Sequence, residues 1–489
     1  MEANAKRHDP DGPDNLPGAD DKCVNIGERG FSRLTILSMV VVLMATWEAI
    51  SSTMVSGLIS GGPVSLVYGY LLAACGAAVT AASLAEMASM YPTAGGQYHY
   101  IAKLAPERLR DILSCAPFLA ATMIQGLLVL NYETYEFQRW HGTMLYWALT
   151  ALATIINVWG SQLMSLVEGA SFFIHVLAFI GNFVAIWVCS PTRHSAGFVF
   201  TFFQNNTGWS DNGVPWCIGM LSSCYVLVGY DGAIHMGEEM LHPEVSVPHC
   251  MLGSIAINGT LGFAFLLTLL FCMGDMNTAL NSSTGFPFIE IFKNATGGAA
   301  ASSAMTSTLI AMAGLATIPL MASTARMVWS LARDQAVPFS GYLSKVNSRT
   351  ELPTRAVLAT SAIMVLLGLV NVGSTTAFNA IISLAIFGLH ISYLVPIGFL
   401  LWRRLATPGV LAYGPWKLGR FGVATNIISL VYLTYTSVFM VFPPYQPVTP
   451  VNMNYACLIF GAVLIFSAIY WVYKGRKVYE GPNIGSYGM

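Results

Sequence analysis

Charge is what this chain has least of: Asp, Glu, Lys and Arg make up only 10% of 489 residues. A soluble globular domain carries about 25%, so a water-exposed surface all round is excluded. No pair of the nine cysteines has CxxC spacing, and most of them lie inside apolar stretches. That pattern suggests neither a zinc site nor a disulfide framework, and no metal or other cofactor is expected. No cleavable leader is expected either, because the first 33 residues are polar; the first apolar span is expected to act as its own anchor. What the chain has instead is 55% hydrophobic residues arranged in long runs. An all-α polytopic membrane protein follows, with the lipid bilayer as its solvent and no nucleic-acid partner.

The runs predict twelve spans. They cover about Leu34–Ser60, Ser65–Met90, Ser114–Leu130, Thr143–Trp159, Leu166–Cys189 and Val214–Met236, then Met251–Met273, Ser302–Val328, Ala356–Val372, Thr376–Trp402, Gly422–Phe442 and Asn452–Tyr473. The third is short, since about 20 apolar residues cross comfortably. Three regions result: a disordered N-terminus (1–33), a transmembrane domain (34–473) and a polar tail (474–489). The side of the termini holds 20 Lys and Arg, counting Arg326 near the end of the eighth span, against Arg139, Arg193 and Lys293 opposite. The excess makes both termini cytoplasmic. Three N-glycosylation sequons, at Asn205, Asn281 and Asn294, fall in the opposite loops, as expected of a glycoprotein.

One stretch organises the rest. Gly229-Tyr230-Asp231-Gly232 interrupts the sixth span at the depth where a carboxylate costs at least about 2.5 kcal/mol. Irregular backbone is tolerated there only where it lines a polar cavity, and broken helices of this kind hold substrate and ions in transporters. A kinked helix with a hydrogen-bonded Asp is the plainer alternative. Asp231, His235 and Glu238/Glu239 recur on one helix face. They read as a proton path, a weak metal site, or, for the two glutamates, a solvated helix end. In the first span, Thr46-Trp47-Glu48 and Ser51-Ser52-Thr53 form a polar cluster with no glycine or proline to break the helix. His175 in the fifth span is either a hydrogen-bonded neutral side chain or a titratable cation. Ser323 and Thr324 in the eighth are cation ligands or packing residues.

With these residues in view, the chain resembles the amino acid–polyamine–organocation superfamily, and within it the fungal amino acid/choline transporter family. The stretch Glu86-Met87-Ala88-Ser89-Met90-Tyr91-Pro92-Thr93-Ala94-Gly95-Gly96-Gln97-Tyr98 is similar to that family's second-helix signature. Tyr230-Asp231-Gly232-Ala233-Ile234-His235-Met236 with Glu238-Glu239 is similar to its sixth, and Ala332-Arg333-Asp334 with Pro338 to the segment after helix eight. The resemblance implies a five-plus-five inverted repeat with discontinuous helices 1 and 6, plus two extra helices. It implies a substrate held by Thr46, Trp47, Glu48, Ala49 and Ser51 together with Gly229, Tyr230, Asp231 and Gly232. It places His175 where proton-coupled relatives carry a helix-five lysine, near Ser323 and Thr324, so that His175 and Asp231 handle the coupling proton. Where many relatives have Gly-x-Gly in helix one, this chain reads Trp47-Glu48-Ala49, which leaves fewer bare N–H groups for a carboxylate.

The expected function is a proton symporter of the plasma membrane importing small amine-bearing solutes such as amino acids, GABA or choline. A transporter-like nutrient sensor and a membrane-embedded transferase are the alternatives; no convergent catalytic set supports the latter. Carboxylates beside Trp47 and Tyr230 favour a cationic head group.

Overall fold

The computed structural model describes residues 31–104, 139–160, 164–347, 350, 352–373, 375–407, 409, 411–475 and 477. The first two predicted spans become α1 (Arg33–Met44), α2 (Thr46–Ser60) and α3 (Gly62–Met90), followed by α4 (Gln97–Leu104). Then come α5 (Arg139–Trp159), α6 (Met164–Cys189), α7 (Ala196–Thr201), α8 (Gly213–Val226) and the one-turn α9 (Gly232–His235). The second half holds α10 (Pro243–Phe271), α11 (Met276–Leu280), α12 (Pro287–Thr296), α13 (Ala299–Arg333) and α14 (Ser340–Leu343). It ends with α15 (Thr354–Gly373), α16 (Thr375–Ala406), α17 (Gly422–Phe439) and α18 (Ala456–Tyr470). Among the described residues there is no strand, only a single bridge between Phe31 and Met240.

Nine of these segments are long and apolar enough to cross a membrane, Arg33–Ser60 counting as one, and Gly213–Val226 and Thr354–Val370 are shorter apolar helices. Together they cover every predicted span except Ser114–Leu130, which lies outside the described residues. The boundaries moved where local chemistry allowed. Helix α10 starts at Pro243 rather than Met251, because proline is tolerated at the first helical position, where its missing N–H costs nothing. Helix α13 runs for 35 residues, about 52 Å at 1.5 Å per residue. It therefore outruns a hydrocarbon core of about 30 Å, and its C-terminal end carries Arg326 and Arg333.

Helices α1, α2, α3, α8 and α10 pack on one another and form the interior. Trp47, Tyr70, Phe265 and Phe288 are fully buried there. Helix α6 shows how the membrane reading works at residue level. Its buried stripe is Glu168, Ser171, His175, Phe179 and Asn182, while Leu166, Phe173, Leu177 and Val184 are exposed. Polar groups inward and hydrocarbon outward is the reverse of a soluble helix, and is what lipid selects.

Candidate functional site

Two breaks in the helical backbone define the site. The first falls at Ala45, whose φ of 41° and ψ of 46° put it in the left-handed region between α1 and α2. For an L-residue with a side chain this costs about 1–2 kcal/mol, so neighbours must hold it. Asn258 of α10 donates its amide to the Val41 carbonyl at 3.2 Å, at the open end of α1. The Thr46 hydroxyl donates to the Val226 carbonyl at 2.9 Å, at the open end of α8. The Val41 carbonyl also accepts from the Ala45 N–H at 3.2 Å, so Asn258 is its second donor, whereas the Val226 carbonyl belongs to the last turn of α8, where carbonyls have no partner within the helix. Nothing local in the sequence marks Ala45; its causes sit about 180 and 210 residues away.

The second break is the expected one. Helix α8 stops at Val226, and α-helical structure resumes for the single turn Gly232–His235, with a 3-10 turn at Gly237–Glu239 after it. Gly229 has a φ of 96°, which side-chain-bearing residues rarely adopt. A Cβ on Gly229 would lie 2.6 Å from the Leu43 side chain, and one on Gly232 2.9 Å from it. The two glycines thus seat the sixth-span break against the end of α1. One turn of helix supplies little dipole, so α9 is a weaker anion site than a half-helix continuing from Gly232 would be.

Around the breaks, the candidate residues divide into two groups. Glu48 is buried, and its Oε1 lies 2.8 Å from Nδ1 of His175. The indole N–H of Trp47 lies 3.3 Å from the same Nδ1. The Trp47 ring packs against Phe265 (centroids 4.9 Å apart) and Phe179 (5.9 Å), inside the apolar core. A single imidazole nitrogen cannot serve both neighbours at once. Carrying hydrogen, Nδ1 donates to the Glu48 carboxylate; bare, it accepts from the Trp47 indole or from a protonated Glu48. The arrangement therefore holds one exchangeable proton between two side chains. Glu48 Oε2 and His175 Nε2 are buried without hydrogen-bond partners among the described residues.

Asp231 belongs to the other group. It is 7% exposed, and its Oδ2 accepts from the Gln97 side-chain amide at 3.0 Å. His235 Nε2 stands 3.8 Å from the same oxygen, while His235 Nδ1 lies 2.8 Å from the Ala94 carbonyl. A carbonyl can only accept, so Nδ1 carries the hydrogen, and Nε2 meets Asp231 as a donor only in the imidazolium. The Tyr230 ring packs on Tyr393 with centroids 5.7 Å apart. Glu48 and Asp231 thus each have a neighbour from another helix, which the sequence did not supply for either.

The remaining candidates make helix-internal or packing contacts. Ser51 donates to the Trp47 carbonyl at 3.0 Å, and the Ala49 carbonyl accepts from Ser52 at 2.8 Å. Thr324 donates to the Leu320 carbonyl at 2.9 Å. Ser323 faces the second break: a Cβ on Gly232 would lie 3.8 Å from its hydroxyl.

The tandem glutamates are not a solvated helix end. Glu238 takes both terminal nitrogens of Arg333, each at 3.0 Å, and the Ala94 N–H at 3.0 Å. Glu239 accepts from Arg326 Nε at 2.6 Å and Nη2 at 3.1 Å. His99 bridges Thr93 (2.7 Å) and Asp334 (2.8 Å), so Asp334 looks to the second-helix signature and Arg333 to the sixth. Burial pushes the Glu238 carboxyl up, but the bonds and charge of Arg333, the Ala94 N–H and the charge of His99 outweigh it and leave it below its ordinary value. A parallel clasp joins Glu86 to Arg404, with the Leu418 N–H donating to Glu86 at 3.0 Å. Gln97, His99, Arg326 and Arg404 were missed as functional residues. The signal for Gln97 and His99 was their place just after the Pro92-to-Gly96 turn, directly downstream of a membrane span.

An amino acid permease family model matches residues 31–463, most of the chain. The chain belongs to the amino acid permease family. A choline transporter of Saccharomyces cerevisiae is 32% identical, over 92% of this chain and 82% of the relative. An amino-acid permease of Neurospora crassa is 28% identical, over 93% and 86%. A GABA-specific permease of S. cerevisiae is 28% identical, over 93% and 83%. The protein is thus a permease and not an enzyme, and the two backbone breaks are features of a permease's membrane bundle.

Proposed function

We propose that this permease imports a small amine-bearing solute, choline or GABA before an acidic amino acid, and that a proton drives it. The chain is read as twelve membrane helices in a five-plus-five inverted repeat with two added helices. Both termini lie in the cytoplasm, as the lysine and arginine distribution favours, and the membrane is the plasma membrane. The substrate sits between the breaks at Ala45 and Gly229–Asp231. Asp231 attracts the ammonium group, and Tyr230 with Tyr393 offers aromatic faces worth roughly 0.5–2 kcal/mol to an alkylated cation. Thr46, Ala49 and Ser51 line the first-span side of that path, and Ser323 faces it from α13.

One observation carries the reading: the Glu48–His175 contact of 2.8 Å between the broken first span and α6. Buried ion pairs are held only when both members stay matched. Protonating or deprotonating this pair therefore changes how the first span is anchored, which is the link a symporter needs between proton and substrate. Thr324 stands close in sequence to Ser323 and belongs to the same coupling region.

Uptake by the purified full-length protein in liposomes tests the proposal. Radiolabelled choline, GABA, lysine and glutamate are compared with and without an inward pH gradient. Accumulation of choline or GABA that follows the gradient supports it. Preference for glutamate, or accumulation indifferent to the gradient, rejects it.

A further inference from the structure

The buried stripe of α6 continues past His175 to a group that neither the signatures nor the two breaks involve. Glu168 is 1% exposed, and neither of its carboxylate oxygens has a hydrogen-bond partner among the described residues. Among the described residues, the charged or titratable groups on helices packed against α6 do not meet it. Arg326 is taken by Glu239, Arg333 by Glu238, and Lys293 lies beside Glu290. Arg33, Glu244 and His249 make no hydrogen bond or ion pair with it. An isolated carboxylate in an apolar interior costs far more than an isolated carboxylic acid. The form these surroundings admit is the neutral acid, which is a stored proton.

Its position gives that proton somewhere to go. Glu168, Ser171 and His175 are spaced i, i+3 and i+7 and are all buried on one face of α6. Residues three or four apart on a helix have Cβ atoms about 5–6 Å from each other, so the Ser171 hydroxyl stands between the carboxyl and the imidazole. The same end of α6 meets the beginning of α1, where Ser165 and Thr35 hydroxyls lie 3.2 Å apart. There the backbone N–H of Phe31 bonds to the Glu239 carbonyl at 2.8 Å, so Glu168 lies toward the end of the bundle that the paired glutamates close.

We propose that Glu168 is a second proton station of the permease, between the His175–Glu48 pair and the cytoplasm. This rests on the proton-driven reading above. When the closed end opens, the carboxyl O–H bond breaks and the proton passes to cytoplasmic water. The carboxylate then recovers a proton from the His175 imidazolium across Ser171, and His175 returns to neutral imidazole.

Two measurements on the full-length protein in liposomes test it. The first is the infrared carbonyl stretch of protonated carboxyl groups at neutral pH, in the wild type and in Glu168→Gln. Intensity lost in the variant is expected; an unchanged band overturns the proposal. The second is accumulation of labelled choline and of GABA. For one proton per substrate, a gradient of one pH unit is worth about tenfold in accumulation. Glu168→Gln is expected to lose that tenfold while exchanging internal for external substrate at close to the wild-type rate. Glu168→Asp, which restores the acid, is expected to recover part of the gradient response, so a folding defect in the Gln variant does not pass for support. A wild type that responds to the gradient beside a Gln variant that responds equally overturns the role of Glu168 alone. A wild type that ignores the gradient overturns proton coupling, and this role with it.

Discussion

The Thr46 hydroxyl and the Val226 carbonyl, 2.9 Å apart and 180 residues apart in sequence, tie the two helix breaks together. The bond joins the start of α2 to the end of α8, so neither break can rearrange without the other sensing it. Substrate held between them would meet one coupled unit.

That bond has a measurable worth. Thr46→Val keeps the shape and removes the donor, leaving a buried carbonyl without it, which costs about 1–3 kcal/mol. Thermal unfolding of the purified protein should show the loss, and Thr46→Ser should recover most of it. Equal stability in the Val variant would mean that the break is held by Asn258 and packing alone.

Asp231 is assigned to the cationic end of the substrate. Asp231→Asn keeps an acceptor for Gln97 but removes the charge. Since hydrogen bonds to charged groups are worth about 1.5–3 kcal/mol, KM for choline should rise roughly 10- to 150-fold. An unchanged KM would place the ammonium group elsewhere.

The Glu238–Arg333 clasp predicts a pH dependence whose sign is fixed by the lowered Glu238 carboxyl. A carboxylate held below its ordinary value stabilises the fold above that value, and the contribution fades as pH falls through the lower, folded-state value. The wild type should therefore lose stability below about pH 4.5, more steeply than Glu238→Gln measured the same way. Parallel curves would assign the acid sensitivity to other groups.

The membrane class, the span positions and the broken sixth helix were legible because each is written locally. Long apolar runs mark spans, and Gly229 and Gly232 mark backbone that a side chain would obstruct. The first break was not legible. Ala45 is an ordinary helix former, and its left-handed conformation is imposed by Asn258 and by the Thr46–Val226 bond, both long-range. Partners of charges were hidden for the same reason. Glu48 and His175 each look isolated within their own spans, and Glu238 and Glu239 look like a solvated end until α13 brings Arg326, and its extra length Arg333, beside them. Glu168 passed unnoticed because a glutamate near the start of a span reads as an interfacial residue, and only the packing shows it buried.

The proposed coupling centres on a proton shared by His175 and Glu48. Its most direct measurement is choline and GABA uptake by His175→Ala as a function of external pH. Acid stimulation should disappear while substrate exchange persists. Acid stimulation of the variant equal to that of the wild type would contradict it.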